Sequence, residues 1–265
     1  APDGSRIYFA CAASRTGPAG VIAVDATTRT VVASNPIAAA SVAVTPDGSK
    51  VVVLSAGTVV VLSPSSLAVL DSAASNVVAP SMIVTNTHAF ALQGLEGKFP
   101  LPGAVATVDL ASMTVGRISL PHFGLLIAAA GDGARAAVFG VGGRLWVVDA
   151  ATQAVTTSIS SIGGGSAFRF DANRDGTRAY LATQPASAEY EFIVVDLVSQ
   201  TVVVRRPIGT FGFSAPGVAL LSSDRALLAG RGFGAPSSLT TIDTASGAQL
   251  NSTAVAGNVW QIAAV

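Results

Sequence analysis

A turn with the sequence Pro-Asp-Gly, or a close variant of it, recurs along this chain and leads each time into a short apolar stretch. The string "TPDGSKVVVL" at 45–54 matches "APDGSRIYFA" at 1–10 nearly position for position, and Asp3 and Asp47 are 44 residues apart. Further copies are "AGDGARAAVF" at 130–139, "NRDGTRAYLA" at 173–182, "SSDRALLAG" at 222–230 and the degenerate "TNTHAFAL" at 85–92. Self-similarity at such a period indicates a repeat architecture in which neighbouring units share their core.

A second marker follows each turn, where an apolar run ends in Asp and enters a small polar turn. It occurs as "VIAVDATTRT", "VATVDLASMT", "LWVVDAATQA", "FIVVDLVSQT" and "LTTIDTASGA". In "VVVLSPSSLA" the position is occupied by Ser63. Asp and Ser both cap such turns by accepting a hydrogen bond from the backbone N–H two residues on, so we expect Ser63 to act as the aspartates do.

Each unit therefore predicts four short strands, and six units predict an all-β, six-bladed β-propeller with four-stranded antiparallel blades. The strands nearest the axis of a propeller are crowded, and "ASVAVT", "LLIAAAG", "APGVALL" and "WQIAAV" supply the small residues that this position favours. We expect one domain over residues 1–265. Its predicted blades are 260–265 together with 1–35, then 36–72, 78–119, 123–160, 165–206 and 215–255.

The repeat resembles the YVTN family of propeller repeats, in which a Pro-Asp-Gly turn precedes one strand and a later strand ends in Asp. The strings "PDGSRIYFACA", "VIAVDATTRTVVAS" and "PDGSKVVVLS" carry the likeness, which extends over essentially the whole chain. The resemblance implies a bacterial, extracytoplasmic propeller at the cell surface, in the periplasm or secreted. The family includes surface proteins, binding modules and a few enzymes, so its motif is informative about fold rather than activity.

The first and last strings of the sequence predict how the ring closes. Read together, "WQIAAV" and "APDGSRIYFA" align with "SVAVTPDGSKVVVL". We expect residues 260–265 to complete the first blade beside residues 6–10, which would leave no strand at the axis unpaired.

Composition excludes several functional classes. Charged residues make up 11% of the chain, the formal net charge is zero and the longest basic run is Arg205-Arg206, so we expect no nucleic-acid partner. No apolar run reaches the length of a membrane-spanning helix, so no membrane insertion is expected. Residues 1–10 lack the pattern of a signal peptide. Cys11 is the only cysteine and is predicted to be a buried, inert strand residue; the alternative is a reactive thiol at the edge of a loop. We expect the protein to be a monomer.

Connections from second to third strands and from fourth to first strands meet at one end of a propeller, and here they vary in length. The second-to-third connections at 11–20, 92–103, 183–191 and 230–238 are long, whereas those at 55–57 and 140–143 are minimal. We expect this end to bind a protein, a glycan or a small molecule. The candidate ligand-binding residues are Arg15, Lys98, Phe99, His122, Phe123, Glu189, Tyr190, Phe211, Phe213, Arg231, Phe233 and Trp260. The alternative is that the aromatic residues plug the axis and anchor loops.

The string "DANRDG" at 171–176 matches the first half of a calcium loop, with candidate ligands Asp171, Asn173 and Asp175. It lacks the closing acid and coincides with the repeat's own turn, so a decorated turn without a cofactor is the favoured interpretation. Asp171 replaces a small residue near the axis, and Arg169 lies two residues earlier on the same strand face. These two are expected to form an ion pair, which is either structural or part of the channel lining.

No catalytic constellation is evident in the sequence. The two histidines, His88 and His122, are too few for a His-type zinc site; His88 is expected in an exposed turn, and His122 in a loop where it could serve as a general base. The favoured function is a non-enzymatic binding or scaffold propeller with no cofactor. The alternative is a metal-dependent hydrolase or lyase like the six-bladed lactonases, with its site in the central channel.

Overall fold

The computed structural model describes residues 1–11, 19–75, 81–93, 103–131, 133–160, 162, 165–173, 175–185, 189–209, 214–222, 224–231 and 237–255. These residues form twenty-three β-strands and no helix, so none of them belongs to a helix long and apolar enough to cross a membrane. All strand pairs are antiparallel, and nearly every strand pairs with its neighbour in the chain. The predicted all-β class is confirmed.

The strands group into six sheets, here called blades 1 to 6. Blade 1 holds β1 (Arg6–Cys11), β2 (Gly20–Asp25) and β3 (Val31–Asn35); blade 2 holds β4 (Ser41–Val44), β5 (Val51–Ser55), β6 (Thr58–Leu62) and β7 (Val69–Ala74). Blade 3 holds β8 (Ser81–Val84), β9 (His88–Leu92), β10 (Ala104–Asp109) and β11 (Val115–Ser119). Blade 4 holds β12 (Gly124–Ala129), β13 (Arg135–Gly140), β14 (Arg144–Asp149) and β15 (Ala154–Ile159).

Blade 5 consists of longer strands, namely β16 (Gly165–Ala172), β17 (Arg178–Pro185), β18 (Tyr190–Asp196) and β19 (Thr201–Gly209). Blade 6 holds β20 (Ser214–Ser222), β21 (Arg225–Arg231), β22 (Ser237–Asp243) and β23 (Gln249–Val255). The first strands β4, β8, β12, β16 and β20 contact one another in succession and line the centre. Sheets arranged radially in this way form a six-bladed β-propeller, as the repeats predict.

Apolar side chains fill the spaces between successive blades. Residues alternate along each strand, so one set faces the preceding blade and the other set faces the next one. Between blades 2 and 3, for example, Val52 and Leu54 of β5 pack with Ala89 and Ala91 of β9. Four comparable clusters join blades 1 and 2, 3 and 4, 4 and 5, and 5 and 6. Packing between blades is therefore the main source of stability in this fold.

The connections between third and fourth strands share one geometry, set by the Asp that ends the third strand. The carboxylate of Asp25 accepts hydrogen bonds from the N–H groups of Thr27 (2.9 Å) and Thr28 (2.7 Å), and Asp109, Asp149 and Asp196 do the same in their blades. The prediction for Ser63 is not reproduced in this form: its hydroxyl bonds the hydroxyl of Ser65 at 3.0 Å. A single hydroxyl is shorter than a carboxylate and does not reach both N–H groups.

In blades 1 and 2, the basic residue that follows the Pro-Asp-Gly turn donates hydrogen bonds to the next blade. Arg6 donates to the carbonyl oxygens of Pro64 (2.7 Å) and Ser65 (3.0 Å), and Tyr8 also donates to Pro64 (2.8 Å). Lys50, at the equivalent position of blade 2, donates to the carbonyl oxygen of Leu110 in blade 3 at 2.7 Å. Such bonds from charged donors are stronger than neutral ones and fix each blade against its neighbour.

Blade 1 is three-stranded within the described part of the chain, with the order β1-β2-β3. The strand predicted to complete it, residues 260–265, lies outside the described residues, and no closing hydrogen bond is found among the described ones. Cys11 ends β1 and is half-buried. It is a strand residue, as expected, but the prediction that it is buried is wrong, because it is the last residue of the strand.

Candidate functional site

The two ends of the propeller differ in how their polar groups are used. One end carries the connections from first to second and from third to fourth strands, and we call it the turn face. The other end carries the remaining connections, and we call it the loop face. On the turn face, hydrogen bonds donated by backbone N–H groups and by Ser and Thr hydroxyl groups hold the pKa values of Asp3, Asp25, Asp47, Asp175 and Asp196 below the ordinary value. These carboxylates are committed to their own turns.

The structure does not describe the side chains of most residues that were predicted to bind a ligand at the loop face. These are Arg15, Lys98, Phe99, Phe211, Phe213, Arg231, Phe233 and Trp260. His122, Phe123, Glu189 and Tyr190 can be described. His122 and Phe123 belong to blade 4, whereas Glu189 and Tyr190 lie at the start of β18 in blade 5.

His122 is exposed and lies on the connection between β11 and β12. Its ring stacks on the buried indole of Trp146, with centroids 6.4 Å apart and an interplanar angle of 22°. A Cβ on Gly140 would lie 2.2 Å from Trp146 Cζ3, and a Cβ on Gly103 would lie 2.6 Å from the His122 carbonyl oxygen. Glycine is required at both positions because only its bare backbone lets the indole and the connection pass so closely.

Phe123 is half-buried, and its carbonyl oxygen accepts a hydrogen bond from Val141 N–H at 3.0 Å. The β11–β12 connection is thereby tied to the β13–β14 turn. Around it, Val141 and Arg144 are exposed. The imidazole of His122, the side chain of Val141 and the guanidinium group of Arg144 are therefore all exposed at the loop face of blade 4.

Tyr190 does not line this surface. It is 3% exposed, and burial raises the pKa of its hydroxyl. The expectation of an exposed aromatic residue is corrected, since Tyr190 begins β18 and its ring fills the interior. Glu189, immediately before it, is exposed. Next to it, Arg205 of β19 forms an ion pair with Glu191 of β18 at 2.7 Å and also donates to the carbonyl oxygen of Ile162, which lies between β15 and β16.

The inner strands of blades 4, 5 and 6 differ from those of blades 2 and 3 at the loop-face end. β12, β16 and β20 have six, eight and nine residues, whereas β4 and β8 have four each. Each of the longer strands contains an extra residue relative to its partner at this end: Leu125 in β12, Phe168 in β16 and one of residues 215–216 in β20. β20 has a second extra residue, Leu221, at its turn-face end. Such β-bulges bend a strand, re-aim its side chains and are frequent next to functional sites.

Leu125 shows the effect of a bulge in this position. Its side chain is 38% exposed, although its neighbours Gly124 and Ile127 are buried. The bulge turns an apolar side chain of an inner strand outwards, three residues after His122. Sequence reasoning missed it because "LLIAAAG" contains no signal for a bulge. It also missed Trp146. The sequence does contain a signal for this residue, because Gly140 lies diagonally opposite Trp146 in the β13–β14 hairpin and leaves room for the indole.

The candidate metal ligands are occupied by the protein's own groups. The Asn173 side chain accepts from Arg178 N–H (2.7 Å) and donates to the Thr177 hydroxyl (3.0 Å), while Asp175 accepts from the N–H (2.9 Å) and hydroxyl (2.6 Å) of Thr177. Across the described residues, no group of three acidic, His or Cys side chains is arranged to hold a metal ion. Asn173 and Asp175 thus serve as hydrogen-bonding groups of the repeat's own turn.

Asp171 joins blade 5 to blade 6. Its carboxylate accepts hydrogen bonds from its neighbour Ala172 N–H (2.9 Å) and from Leu220 N–H of β20 (3.0 Å), and burial raises its pKa. The side chain of Arg169, its expected partner, lies outside the described residues. On the turn face of blade 3, His88 lies 3.7 Å from Asp109 and is half-buried, so the expectation that it is exposed is wrong.

Comparison with known proteins identifies the fold. No protein-family model and no curated protein matches the sequence. Among solved structures, the chain is similar to Kuenenia stuttgartiensis hydrazine synthase, with a TM-score of 0.70 and 17% identity over 92% of this chain and 74% of that one. It is also similar to the β-propeller domain of Cps50 (Swd1) from Myceliophteria thermophila, with a TM-score of 0.70 and 12% identity over 99% and 88%. At such identities the likeness shows the fold, a β-propeller.

Proposed function

We propose that this chain is a non-enzymatic binding or scaffold propeller whose ligand surface is the loop face of blades 4 to 6. The observation that carries the proposal is the run of three inner strands, β12, β16 and β20, each of which has a bulge at the loop-face end; β20 has a second bulge at its turn-face end. A bulge gives up regular strand pairing at one residue, so its repetition at one end of three successive blades favours a surface shaped for a partner.

The chemistry of the described part of this surface suits recognition. Leu125 offers an apolar contact, His122 a flat ring fixed on Trp146, and Arg144 an exposed guanidinium group. The His122 ring, held against Trp146, loses little conformational entropy on binding. We assign the surface to a protein, a glycan or a small molecule, and, following the resemblance to YVTN repeats, we place the protein outside the cytoplasm of a bacterium.

The test is a screen of the purified protein against arrayed glycans and arrayed peptides, followed by affinity measurements on any hit. The variants Leu125→Ala and His122→Ala change the proposed surface. Val198→Ala is the matched control, because Val198 is 74% exposed on the turn face of the neighbouring blade. We expect each loop-face variant to weaken binding about tenfold, corresponding to the loss of one good contact, and the control to bind as wild type does.

Two results would overturn the proposal. One is a hit whose affinity falls in Val198→Ala and not in the loop-face variants, since that would place the binding surface at the opposite end. The other is turnover of lactones or aryl esters by the wild-type protein that EDTA abolishes and calcium restores. That result would instead support the metal-dependent hydrolase.

A further inference from the structure

Charged groups are distributed unequally between the two faces of the propeller. Among the described residues of the turn face, the aspartates outnumber the basic side chains, because every third strand but that of blade 2 ends in Asp and most turns of the Pro-Asp-Gly type carry another. The described carboxylates of the loop face are Glu189 and Glu191, which lie at the start of β18 in blade 5. The loop face of blades 3 and 4 therefore has no carboxylate in its described part.

Arg144 is the exposed cation of this region. It begins β14, and Trp146 follows two positions later, so both side chains lie on the side of the strand that faces blade 3. The ring of His122 stacks on Trp146, and His122 is also exposed. Arg144 and His122 are therefore presented on the same side of blade 4, above the apolar cluster that joins blades 3 and 4.

The backbone beneath Arg144 is held on both sides. In the turn that precedes it, Val141 N–H donates to the carbonyl oxygen of Phe123 at 3.0 Å, and the carbonyl oxygen of Gly143 accepts from Ile162 N–H at 2.9 Å. The β13–β14 turn is thereby bonded to the connection before blade 4 and to the connection after it. Arg144 thus extends from a fixed part of the loop face.

The guanidinium group of Arg144 is not used by the fold. Within the part of the chain that the structure describes, no carboxylate pairs with it and no acceptor bonds it. Other arginines of the loop face are bonded to the protein: Arg117 donates to Gln93 Oε1 at 2.5 Å, and Arg205 pairs with Glu191 at 2.7 Å. A fixed cation without an internal partner is available to an anionic ligand.

We infer that the ligand of the loop face is an acidic glycan, whose carboxylate or sulfate group binds Arg144 beside the exposed ring of His122. This inference rests on the proposed function, because it concerns the same surface. A planar guanidinium group donates two parallel hydrogen bonds to an oxyanion. In blades 3 and 4, no carboxylate of the described loop face competes with the ligand for that group.

The position of Arg144 favours a glycan over a peptide. Peptides commonly bind by adding a strand to a free sheet edge or by placing a helix in an apolar groove. The free outer edge of blade 4 is β15, whereas Arg144 lies at the end of the β13–β14 hairpin, and both strands of this hairpin are paired on both sides. A sugar ring is rigid, so it loses little conformational freedom when it packs against His122 and Leu125.

The test uses two matched pairs of probes. One pair is oligogalacturonate and its neutral methyl ester, and the other is sulfated dextran oligosaccharide and its unsulfated counterpart. Binding to the wild-type protein is measured by titration calorimetry at low and at physiological ionic strength. We expect an acidic probe to bind at least tenfold more tightly than its neutral counterpart and its affinity to fall as salt is added. The pair that shows this difference distinguishes a carboxylate ligand from a sulfate ligand.

The variant Arg144→Gln removes the charge and keeps a polar side chain. We expect it to bind the acidic probe roughly tenfold more weakly, because a charge-assisted hydrogen bond is lost. Its melting temperature should equal that of the wild type, since no bond within the protein is removed. The matched control is Arg29→Gln, because Arg29 is exposed on the turn face of blade 1. This control should bind the probe as the wild type does.

Several outcomes would overturn the inference. It fails if neither acidic probe binds, if the neutral counterparts bind equally well, or if Arg29→Gln lowers the affinity as much as Arg144→Gln does. A hexaglutamate peptide that binds as tightly as the acidic probe, with the same dependence on Arg144, would identify an acidic peptide as the ligand instead. A neutral ligand whose binding is weakened by Leu125→Ala and not by Arg144→Gln would refute the acidic glycan and leave the proposed function standing.

Discussion

Replacing Gly247 by alanine tests the geometry on which every turn between third and fourth strands depends. Gly247 is the fourth residue after Asp243 and has a φ of 71°. The equivalent residues of the other five blades also have positive φ, although none is glycine: Arg29 (57°), Leu67 (57°), Met113 (54°), Gln153 (52°) and Gln200 (59°). The turn imposes this left-handed conformation whether or not the sequence provides a glycine.

The magnitude for Gly247→Ala follows from three contributions. An L-residue in this conformation costs about 1–2 kcal/mol, and the stiffer unfolded chain of the variant returns about 0.4–1 kcal/mol. A Cβ would lie 2.5 Å from Arg206 Cγ and 2.7 Å from Val204 Cγ1. Relieving such contacts costs about 1–3 kcal/mol. We expect a net loss of about 2–3 kcal/mol, or roughly 5–10 °C in melting temperature for a chain of this size.

Gln200 is the matched position, because its side chain is exposed. Gln200→Ala should melt within about 1 °C of the wild type, since the strain is already present, and Gln200→Gly should be more stable by about 0.5–1 kcal/mol. The measurement is thermal unfolding followed by circular dichroism. A Gly247→Ala protein that melts with the wild type, or a Gln200→Gly protein that melts lower, would refute the reasoning.

Three further predictions follow from the hydrogen bonds and contacts of the site. Gly140→Ala should displace the indole of Trp146, costing about 2 kcal/mol and shifting the tryptophan emission; unchanged emission and melting would contradict it. The lowered pKa of Asp25 contributes stability above pH 3.8 that is lost as pH falls through the folded-state pKa, so Asp25→Asn, which keeps an acceptor oxygen, should flatten the acid limb of the melting curve. Asp171 has a raised pKa, so its ionisation costs stability as pH rises from 3.8 through the folded-state value. The melting temperature of Asp171→Asn should therefore rise relative to that of the wild type as pH increases above 3.8, and parallel pH curves for the two proteins would contradict this.

The strands and their pairing were predictable because the repeat encodes them locally. Arg6 at the start of one strand and Asp25 at the end of the next are directly paired in the structure, and Arg135 with Asp149 and Arg178 with Asp196 repeat the arrangement. A turn signal at one end of a hairpin and an Asp at the other fix the register between them. Five of the six blades show this pattern in their sequence, which is why the blade count could be derived.

Burial and bulges at the loop face were not predictable in the same way. Tyr190 and Phe123 are both aromatic residues next to loops, yet one is buried and the other half-buried. Which of them faces solvent depends on how the neighbouring blade packs, and that is a contact between distant parts of the sequence. The bulge at Leu125 could not be predicted for the same reason. A bulge is a mismatch in length between two paired strands, so the sequence of either strand alone does not reveal it.

The two faces of the propeller differ in how freely their residues can vary, and this difference explains how a regular repeat can have an irregular surface at one end. On the turn face, Asp25 caps its turn and Arg6 holds the carbonyl oxygens of blade 2, so changing either residue costs stability before it could provide a new contact. At the loop face the strands of blade 5 extend to Pro185 and Gly209, and the added ladder hydrogen bonds offset the pairing lost at the bulge in β16. A blade with longer strands therefore tolerates a bulge at its loop-face end. Bulges at this end make the loop face of blades 4 to 6 differ in shape from that of the other blades.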